Sequence, residues 1–364
     1  MSIESPPPPR RLESVQGLRA VAAIMVVVFH AAAVWREMTG VGGYTGPWDR
    51  GWAGVDLFFV ISGFVMVWVA GERPAGAGTA ARFLVDRATR IYPLWWIYCA
   101  VMAAYFLAAY GQPASPVLSD VPWRDFVLSM ALWPQETMPV LSVGWTLTFE
   151  LAFYALFAAL LLLPSRVRPY ALAGWAVVLI GAALTSPAPT FPDSWSGTLL
   201  HPLCLEFLFG AAVAYAMRRW TMGDTAGKGL LAVGAILVAL AVALPLSSGG
   251  VDRVWLYGLP AALVLAGAVA WERAGTMRLP KRLLRIGDAS YTLYLSHLLV
   301  LLVFKRVLAS AGFDQVAGPV LFAAFVVAGT AVCVAASLWL HDRLERPLLR
   351  IARAPLAKRP AAPQ

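Results

Sequence analysis

Ten apolar segments, each long enough to cross the hydrocarbon core of a bilayer as an α-helix, dominate this 364-residue chain. They cover about residues 17–35, 51–70, 91–110, 145–163, 169–185, 199–217, 229–246, 253–271, 289–308 and 318–340. Hydrophobic residues make up 60% of the chain and charged residues only 13%, a balance that excludes a soluble globular protein. The sequence therefore predicts an all-α fold, a polytopic integral membrane helix bundle of about ten transmembrane helices.

The basic residues predict the orientation of this bundle. If the N-terminus is cytoplasmic, only six of the 29 Lys and Arg residues fall on the far side of the membrane. Because Lys and Arg concentrate in cytoplasmic loops, we expect both termini to be cytoplasmic. The net charge of +9 is then explained by topology and by anionic membrane lipids as partners, and no nucleic acid is expected.

The remaining segments predict one membrane domain with two tails. We expect a membrane domain over residues 12–347, a disordered cytoplasmic N-terminus over residues 1–11, and a basic, disordered cytoplasmic tail over residues 348–364. The stretch from Trp123 to Trp133 predicts a short interfacial helix, with part of a substrate mouth as the alternative. The three cysteines have neither CxxC spacing nor a histidine at ligand spacing, so they indicate packing, and no metal site is predicted.

Ionisable residues inside the apolar segments are the strongest functional signal. His30 follows Arg19 by eleven residues in the first segment, about 16 Å further along a helix axis. Four further ionisable residues fall at a similar predicted depth on four other segments: Asp56, Glu150, Glu206 and His297. Ionisable groups are costly in hydrocarbon and usually face a bundle interior, so we expect these five to converge on one polar cavity.

Six sequence blocks then carry a family resemblance. In chain order they are LESVQGLRAVAAIMVVVFHA (12–31), GVDLFFVISGF (54–64), RATRIYPLWW (87–96), GWTLTFELAFY (144–154), HPLCLEFLFG (201–210) and GDASYTLYLSH (287–297). Together they resemble the acyltransferase-3 family of bacterial membrane O-acyltransferases, and within it most closely the exopolysaccharide-production acetyltransferases.

This resemblance implies a multi-pass enzyme of the bacterial inner membrane. It would move an acyl group, commonly acetyl, from acyl-CoA to a carbohydrate acceptor, the sugar hydroxyl of an exopolysaccharide or of a lipid-linked glycan precursor. Acetyl-CoA would be a co-substrate, and no tightly bound cofactor is expected. The signature pairs of the family correspond to Arg19 with His30 and to Arg87 with Arg90.

The chemistry of such a transfer assigns roles to the buried residues. A neutral imidazole suits the removal of a hydroxyl proton near neutral pH, so His30 is the expected general base. A carboxylate on the other ring nitrogen would fix its tautomer, and either Asp56 or Glu150 can do this. Asp56 is preferred because it lies on the next helix, and Glu150 would then bind acceptor hydroxyls. The alternative for these carboxylates, and more so for Glu206, is pairing that only holds helices together.

The arginines are expected to bind the donor. Arg87 and Arg90 share a helix face and can contact the CoA pyrophosphate, or they can simply end a helix at the headgroup layer. Arg19 would lie between phosphate and thioester, unless it pairs with Glu13.

Side chains of a later segment complete the expected site. Tyr291, Tyr294 and His297 are expected to line the acceptor or pantetheine channel, and Glu206 to contact substrate. For His297 alone, helix packing is an equal alternative.

Two other functions remain open from the sequence. The same chemistry would serve an acyltransferase whose acceptor is a lipid or a small molecule. A proton-coupled glycan or lipid transporter would also bury carboxylates and histidines. The arginine pair suited to a phosphate-rich donor, and the lack of a detectable inverted repeat, favour the enzyme.

Overall fold

The computed structural model describes residues 12–42, 45–113, 122–185, 191–244 and 250–357. Within these ranges the chain is helical and contains no β-strand. The helices are α1 (Glu13–Thr39), α2 (Gly54–Ala70), α3 (Ala77–Tyr110), α4 (Pro122–Ala131), α5 (Gly144–Leu160), α6 (Arg168–Thr185), α7 (Trp195–Leu199), α8 (Cys204–Arg219), α9 (Asp224–Ala243), α10 (Gly250–Arg253), α11 (Leu259–Arg273), α12 (Lys281–Asp288), α13 (Ser290–Ser310), α14 (Pro319–Leu340) and α15 (Arg346–Ala357). A 3-10 turn (Pro47–Ala53) precedes α2, and π-helical turns precede α11 (Val254–Gly258) and α15 (His341–Glu345).

The prediction of a polytopic all-α membrane protein is confirmed. Eight helical segments of the described chain are long and apolar enough to span a membrane. Each of the ten predicted segments lies on a helix. The two outside the set of eight are α5, with 17 residues, and α8, with 16 residues. The spans containing α2 and α11 are the most buried, whereas α6 and α9 are mostly exposed and lie at the periphery.

Helix α3 begins much earlier than the apolar segment predicted. It has 34 residues and is about 51 Å long, well beyond the roughly 30 Å of a hydrocarbon core. Arg87 and Arg90 therefore lie inside the helix rather than at its start. The reason is local: no glycine or proline interrupts residues 79–92, so the helix continues through this polar stretch and ends only at Gly111, which has a φ of 74°.

The segments flanking the domain differ from their predictions in part. Residues 348–357 were expected to be disordered but belong to α15, because Leu344 and Leu348 pack against the main hydrophobic core. Residues 1–11 and 358–364 lie outside the described residues. The stretch from Trp123 to Trp133 contains the short helix α4, as expected.

Charged side chains satisfy helix ends inside the bundle. The Glu272 carboxylate on α11 accepts the backbone N–H groups of Glu13 and Ser14, both at 2.8 Å, at the start of α1. The fully buried Arg168 guanidinium donates to the carbonyl oxygens of Gly71 (2.7 Å) and Leu163 (3.0 Å), which follow the ends of α2 and α5. These contacts satisfy terminal backbone groups that would otherwise be costly in an apolar interior.

Glycines bring α2 and α8 into backbone contact. A Cβ atom at Gly63 would lie 1.9 Å from the carbonyl oxygen of Phe207, and one at Gly210 would lie 1.8 Å from that of Val60. Small residues at such a crossing let membrane helices gain packing and interhelical backbone contacts. The close approach holds α2, which carries several residues of the candidate site, against α8.

We expect Gly63→Ala to destabilise the protein, because the added methyl group has to displace the backbone of α8. The expected loss is about 1–3 kcal/mol, as for other overpacked interiors. Thermal unfolding of the purified protein in detergent measures it. The matched control is Gly174→Ala on α6, where a Cβ atom meets nothing within 4 Å. Equal unfolding midpoints for the two variants would contradict the close packing of α2 on α8.

Candidate active site

An inner cavity lies between α1, α2, α3, α5 and α13 and has an empty volume of about 760 Å³. Its apolar wall comes mainly from α2, from Val55 to Met66. Its polar lining is Arg19, Ser62, Arg87, Arg90, Thr146, Glu150, Tyr154, Ser290, Tyr291 and Tyr294. Five of the residues expected at the cofactor and substrate sites, together with Glu150, therefore share one chamber.

A second cavity, here called the basic cavity, opens beside the first and has an empty volume of about 1020 Å³. Five arginines line it: Arg19, Arg90, Arg285, Arg346 and Arg353. Its acidic lining is Asp288, Asp342 and Glu345, and Asp342 forms ion pairs with Arg285 (3.3 Å) and Arg346 (3.1 Å). Arg19 and Arg90 line both cavities, so the two chambers meet at this pair.

The three arginines of the inner cavity are held differently. Arg19 Nε donates to Ser290 Oγ at 3.0 Å. This is the side-chain contact that Arg19 makes, rather than the alternative pairing with Glu13. The Arg87 guanidinium lies over the rings of Phe83 and Tyr154, at 5.4 and 5.8 Å from their centroids. Among the described residues, Arg90 has neither a hydrogen bond nor an ion pair, so its donors are available to a ligand.

Glu150 faces the inner cavity and is held by hydroxyl groups. Its Oε1 atom accepts hydrogen bonds from Ser62 Oγ, at 3.0 Å, and from the hydroxyl of Tyr154. A carboxylate that hydroxyl groups already surround can also accept from a hydroxyl of a ligand. The expectation that Glu150 contacts an acceptor is compatible with this position, whereas it makes no contact with His30.

The partner of His30 is a second histidine. His30 Nδ1 lies 2.9 Å from the Val26 carbonyl oxygen and 3.2 Å from His297 Nε2. His297 is fully buried, and its Nδ1 lies 3.1 Å from the Leu293 carbonyl oxygen. Because a carbonyl oxygen only accepts, both Nδ1 atoms carry hydrogen. In the neutral rings the His30 Nδ1–H is then shared between the Val26 carbonyl oxygen and His297 Nε2, and the lone pair of His30 is on Nε2.

The histidine pair lies next to the inner cavity but does not line it. The Tyr294 ring, which does line it, is 6.1 Å from the His297 ring and 5.7 Å from the Phe58 ring, centroid to centroid. The Tyr294 hydroxyl is also 2.8 Å from Thr146 Oγ1 across the cavity. Tyr294 is thus the link between the chamber and the two imidazoles.

The prediction that Asp56 orients His30 is wrong. The fully buried Asp56 carboxylate forms a bidentate ion pair with Arg253, at 2.8 and 3.0 Å, and the Arg253 guanidinium lies 4.5 Å from the centroid of the Trp52 ring. Glu206 is fully buried in the same cluster and is electrostatically coupled to Asp56 and Arg253. Neither carboxylate lines the inner or the basic cavity.

The expected single polar cavity is therefore divided into three groups: Glu150 in the inner cavity, the histidine pair beside it, and the Asp56–Glu206–Arg253 cluster. The sequence predicts the depth of each residue along its helix but not the rotation of the helix about its axis. A helix rotated by half a turn keeps each residue at the same depth but places it against a different neighbouring helix.

Sequence reasoning missed Arg253 and Ser290. Arg253 is the first residue of its predicted segment and was one of the six charges assigned to the far side of the membrane, the same end at which Asp56 enters its helix, so the shared end was the available signal for their pairing. Ser290 begins α13 one turn before Tyr294, on the same helix face, and this spacing was the available signal for its place beside Arg19.

The structure is that of a multi-pass membrane protein with an arginine-lined chamber inside an apolar helix bundle. The model of the acyltransferase domain of the acyltransferase-3 family matches residues 12–338. The chain belongs to this family of membrane acyltransferases.

Three curated relatives extend along nearly the whole chain. The exopolysaccharide production protein ExoZ of Rhizobium meliloti (strain 1021) is 34% identical over 90% of this chain and 96% of its own. The acyltransferase MdmB of Streptomyces mycarofaciens is 27% identical over 97% of this chain and 96% of its own. The putative membrane-bound transacylase BcsY of Komagataeibacter xylinus is 28% identical over 97% of this chain and 87% of its own. No solved structure matches the chain.

We expect Asp56→Ala to act on stability, because it leaves the Arg253 guanidinium inside the bundle without its ion-pair partner. Loss of one partner of a buried pair costs about 3–5 kcal/mol, and the double variant Asp56→Ala/Arg253→Ala should lose less than the sum of the two single variants. Thermal unfolding midpoints measure both effects.

The control is Glu37→Ala, which removes an exposed partner of Lys305 and should cost no more than about 1 kcal/mol. An Asp56→Ala protein that keeps its unfolding midpoint but loses its activity would instead indicate a catalytic role for the Asp56 carboxylate.

Proposed function

We propose that this protein is an O-acetyltransferase of the bacterial inner membrane. It takes acetyl from acetyl-CoA and transfers it to a sugar hydroxyl of an exopolysaccharide or of its lipid-linked precursor. The observation that carries the proposal is the junction of the two cavities at Arg19 and Arg90. A donor with a phosphate-rich head and a thin, uncharged arm fits a basic chamber that leads into a mostly apolar one.

The basic cavity suits the nucleotide end of CoA. Arg285, Arg346 and Arg353 lie around it, and the first two share a single acidic partner, Asp342. Arginine recognises phosphate through paired N–H groups, and the open donors of Arg90 are the nearest to the inner cavity. The pyrophosphate would bind at Arg19 and Arg90, so that pantetheine enters between them. This end of the bundle would face the cytoplasm, where CoA is found.

The inner cavity suits the thioester end. Its apolar wall on α2 accommodates the pantetheine arm, while Glu150 and Tyr291 offer hydrogen bonds to amide or hydroxyl groups. The Tyr291 hydroxyl donates to the Ile91 carbonyl oxygen at 2.9 Å and so retains acceptor capacity for a ligand. Arg87, held against two aromatic rings, would add positive charge to the donor end of the inner cavity.

His30 is the general base of the proposed reaction. Its Nε2 lone pair removes the proton of the sugar hydroxyl as that oxygen attacks the thioester carbonyl carbon. The C–S bond then breaks, and the CoA thiolate leaves with the proton that His30 returns. His297 acts as a positioning residue, because its Nε2 accepts from His30 Nδ1–H together with the Val26 carbonyl oxygen and so helps to orient the imidazole in the reactive tautomer.

Access to His30 requires movement of two side chains. Tyr294 and Phe58 line the inner cavity beside the histidine pair, and His30 itself is partly exposed on α1. Rotation of the Tyr294 and Phe58 rings would open a path for the thioester from the inner cavity to the imidazole. The hydrogen bond between the Tyr294 hydroxyl and Thr146 Oγ1 would hold the closed arrangement when no acetyl-CoA is bound.

We expect Arg90→Ala to raise the KM for acetyl-CoA about tenfold or more, because it removes the unpaired cation at the junction of the cavities. The double variant Arg87→Ala/Arg90→Ala should raise the KM for acetyl-CoA further. The measurement is transfer of labelled acetyl from acetyl-CoA to glycan in proteoliposomes, as a function of donor concentration.

The matched control is Arg82→Ala, since Arg82 is exposed on the same helix and lines neither cavity. An unchanged donor dependence in the double variant would reassign Arg87 and Arg90 to membrane topology.

We expect His30→Ala to abolish transfer while the protein still folds and inserts, because it removes the Nε2 lone pair of a partly exposed imidazole, whereas His297 is fully buried behind it. His297→Ala should lower kcat without changing the KM for acetyl-CoA, since only the orientation of the base is lost. His297→Gln, whose side-chain carbonyl can still accept from His30, should recover part of the rate and alter the pH profile of kcat.

Initial rates over a range of pH separate these cases. Normal acetylation by the His30→Ala protein would reject the proposed base. A His297→Ala protein with unfolded or poorly inserted chains would instead assign that residue to packing.

A further inference from the structure

Glu345 places a carboxylate in the basic cavity, beside the arginines that are expected to bind the donor phosphates. It lines this cavity together with Arg19 and Arg90, and it is close enough to both guanidinium groups for charge–charge interaction. Among the described residues it lies at ion-pair distance from His341 and from neither arginine. The carboxylate and the two arginines thus face one cavity of about 1020 Å³ without closing on each other.

The Glu345 carboxylate is held in place by the protein itself. Its Oε2 atom accepts from Thr292 Oγ1 at 2.5 Å and lies 2.6 Å from His341 Nδ1. Glu345 ends the π-helical turn that precedes α15, Thr292 lies on α13, and Glu345 is only 5% exposed. Because these contacts anchor the side chain to α13 and to its own turn, the carboxylate cannot easily turn away from an incoming anion.

A fixed carboxylate in this position weakens the binding of a phosphate. Like charges repel, and the repulsion is stronger in a partly enclosed cavity than in bulk water. Asp342 in the same cavity differs, because it already pairs with Arg285 and Arg346. Glu345 therefore competes with an anionic ligand for the positive field of Arg19 and Arg90.

Weaker binding is useful in a chamber lined by five arginines. The head of CoA is the same before and after acyl transfer, so the arginines would bind the product as tightly as the substrate. Binding of this uniform kind does not raise kcat, and slow release of a tightly bound product limits turnover. A negative charge beside the arginines shortens the time that CoA stays bound.

We propose that Glu345 is a counter-ion of the donor site, which limits the affinity for CoA and so allows the product to leave. When no donor is bound, its charge compensates Arg19 and Arg90, and the pyrophosphate of a bound donor takes over this role. This inference rests on the proposed function, since it assumes that the donor phosphates bind at these two arginines.

The test compares Glu345→Gln with Thr292→Val and Glu72→Gln in the full-length protein. Glutamine keeps the length of the side chain and can still accept from Thr292, but it removes the charge. Thr292→Val removes a hydrogen bond to Glu345 and keeps the charge, so it reports a purely structural role of this contact. Glu72→Gln removes an exposed carboxylate that pairs with Arg218 and lines neither cavity.

We expect Glu345→Gln to lower both the KM for acetyl-CoA and the inhibition constant of CoA about threefold to tenfold, because the repulsion of one charge is lost. Thr292→Val and Glu72→Gln should stay within about twofold of the unsubstituted protein. Transfer of labelled acetyl in proteoliposomes, with CoA as an added inhibitor, measures both constants. Thermal unfolding verifies that each variant is folded, and Glu345→Met takes the place of Glu345→Gln if that variant does not fold.

Two results would overturn the counter-ion. One is an unchanged or raised KM for acetyl-CoA in Glu345→Gln, which would make Glu345 a packing residue or a direct contact of the donor. The other is an equal fall of the KM in Thr292→Val or in Glu72→Gln, which would trace the effect to local packing or to the overall charge of the protein.

A failure of the proposed function gives a different pattern. If the unsubstituted protein transfers acetyl from acetyl-CoA to no glycan, the assignment as an O-acetyltransferase fails. Calorimetric titration of the purified proteins with CoA and with inorganic pyrophosphate then decides the role of Glu345 by itself. Tighter binding by Glu345→Gln than by the unsubstituted protein and by Glu72→Gln supports the counter-ion, and equal or weaker binding overturns it.

Discussion

A charged side chain inside an apolar helix bundle has to find a compensating partner, and this constraint organises the whole interior. Arg168 is surrounded by carbonyl oxygens at the ends of two helices, and Arg253 is held by Asp56. Among the described residues, Arg90 is left with no hydrogen bond or ion pair, at the junction of two cavities. Arg90 is partly exposed and lines the basic cavity together with Glu345, and under the proposed function the phosphates of the donor would supply its hydrogen-bond partners.

The sequence predicted the depth of the buried groups better than their partners. The ten apolar segments all lie on helices, and Arg19, Arg87, Arg90 and Glu150 reach one chamber, because periodicity and hydropathy determine where a residue lies along a helix. The rotation of a helix depends on contacts distant in sequence, such as the crossing of Gly63 with the backbone of α8. Asp56 consequently faces Arg253, a choice that no local pattern around residue 56 reveals.

The pairing of two histidines has a chemical consequence that a histidine–carboxylate pair lacks. His297 contacts His30 Nδ1 but contributes no negative charge to stabilise an imidazolium. The protonated state of His30 would therefore be short-lived in an apolar surrounding, which favours rapid return of the proton to the departing thiolate. Asp56 does not supply this negative charge, because both of its carboxylate oxygens are bound to Arg253.

In the proposed reaction, the head of the donor and the general base would lie at different depths of the bundle. The basic cavity opens beside the start of α1, whereas the histidine pair lies next to Tyr294, eleven residues further along α1 than Arg19. Eleven residues of helix correspond to about 16–17 Å, so His30 lies about half the thickness of the hydrocarbon core away from Arg19. A thioester arm that reaches His30 through the inner cavity would leave the CoA head in the basic cavity. The acyl group alone would then travel from the arginines to the histidine pair beside Tyr294, and this separation explains why phosphate-binding side chains and the expected base lie in different parts of the bundle.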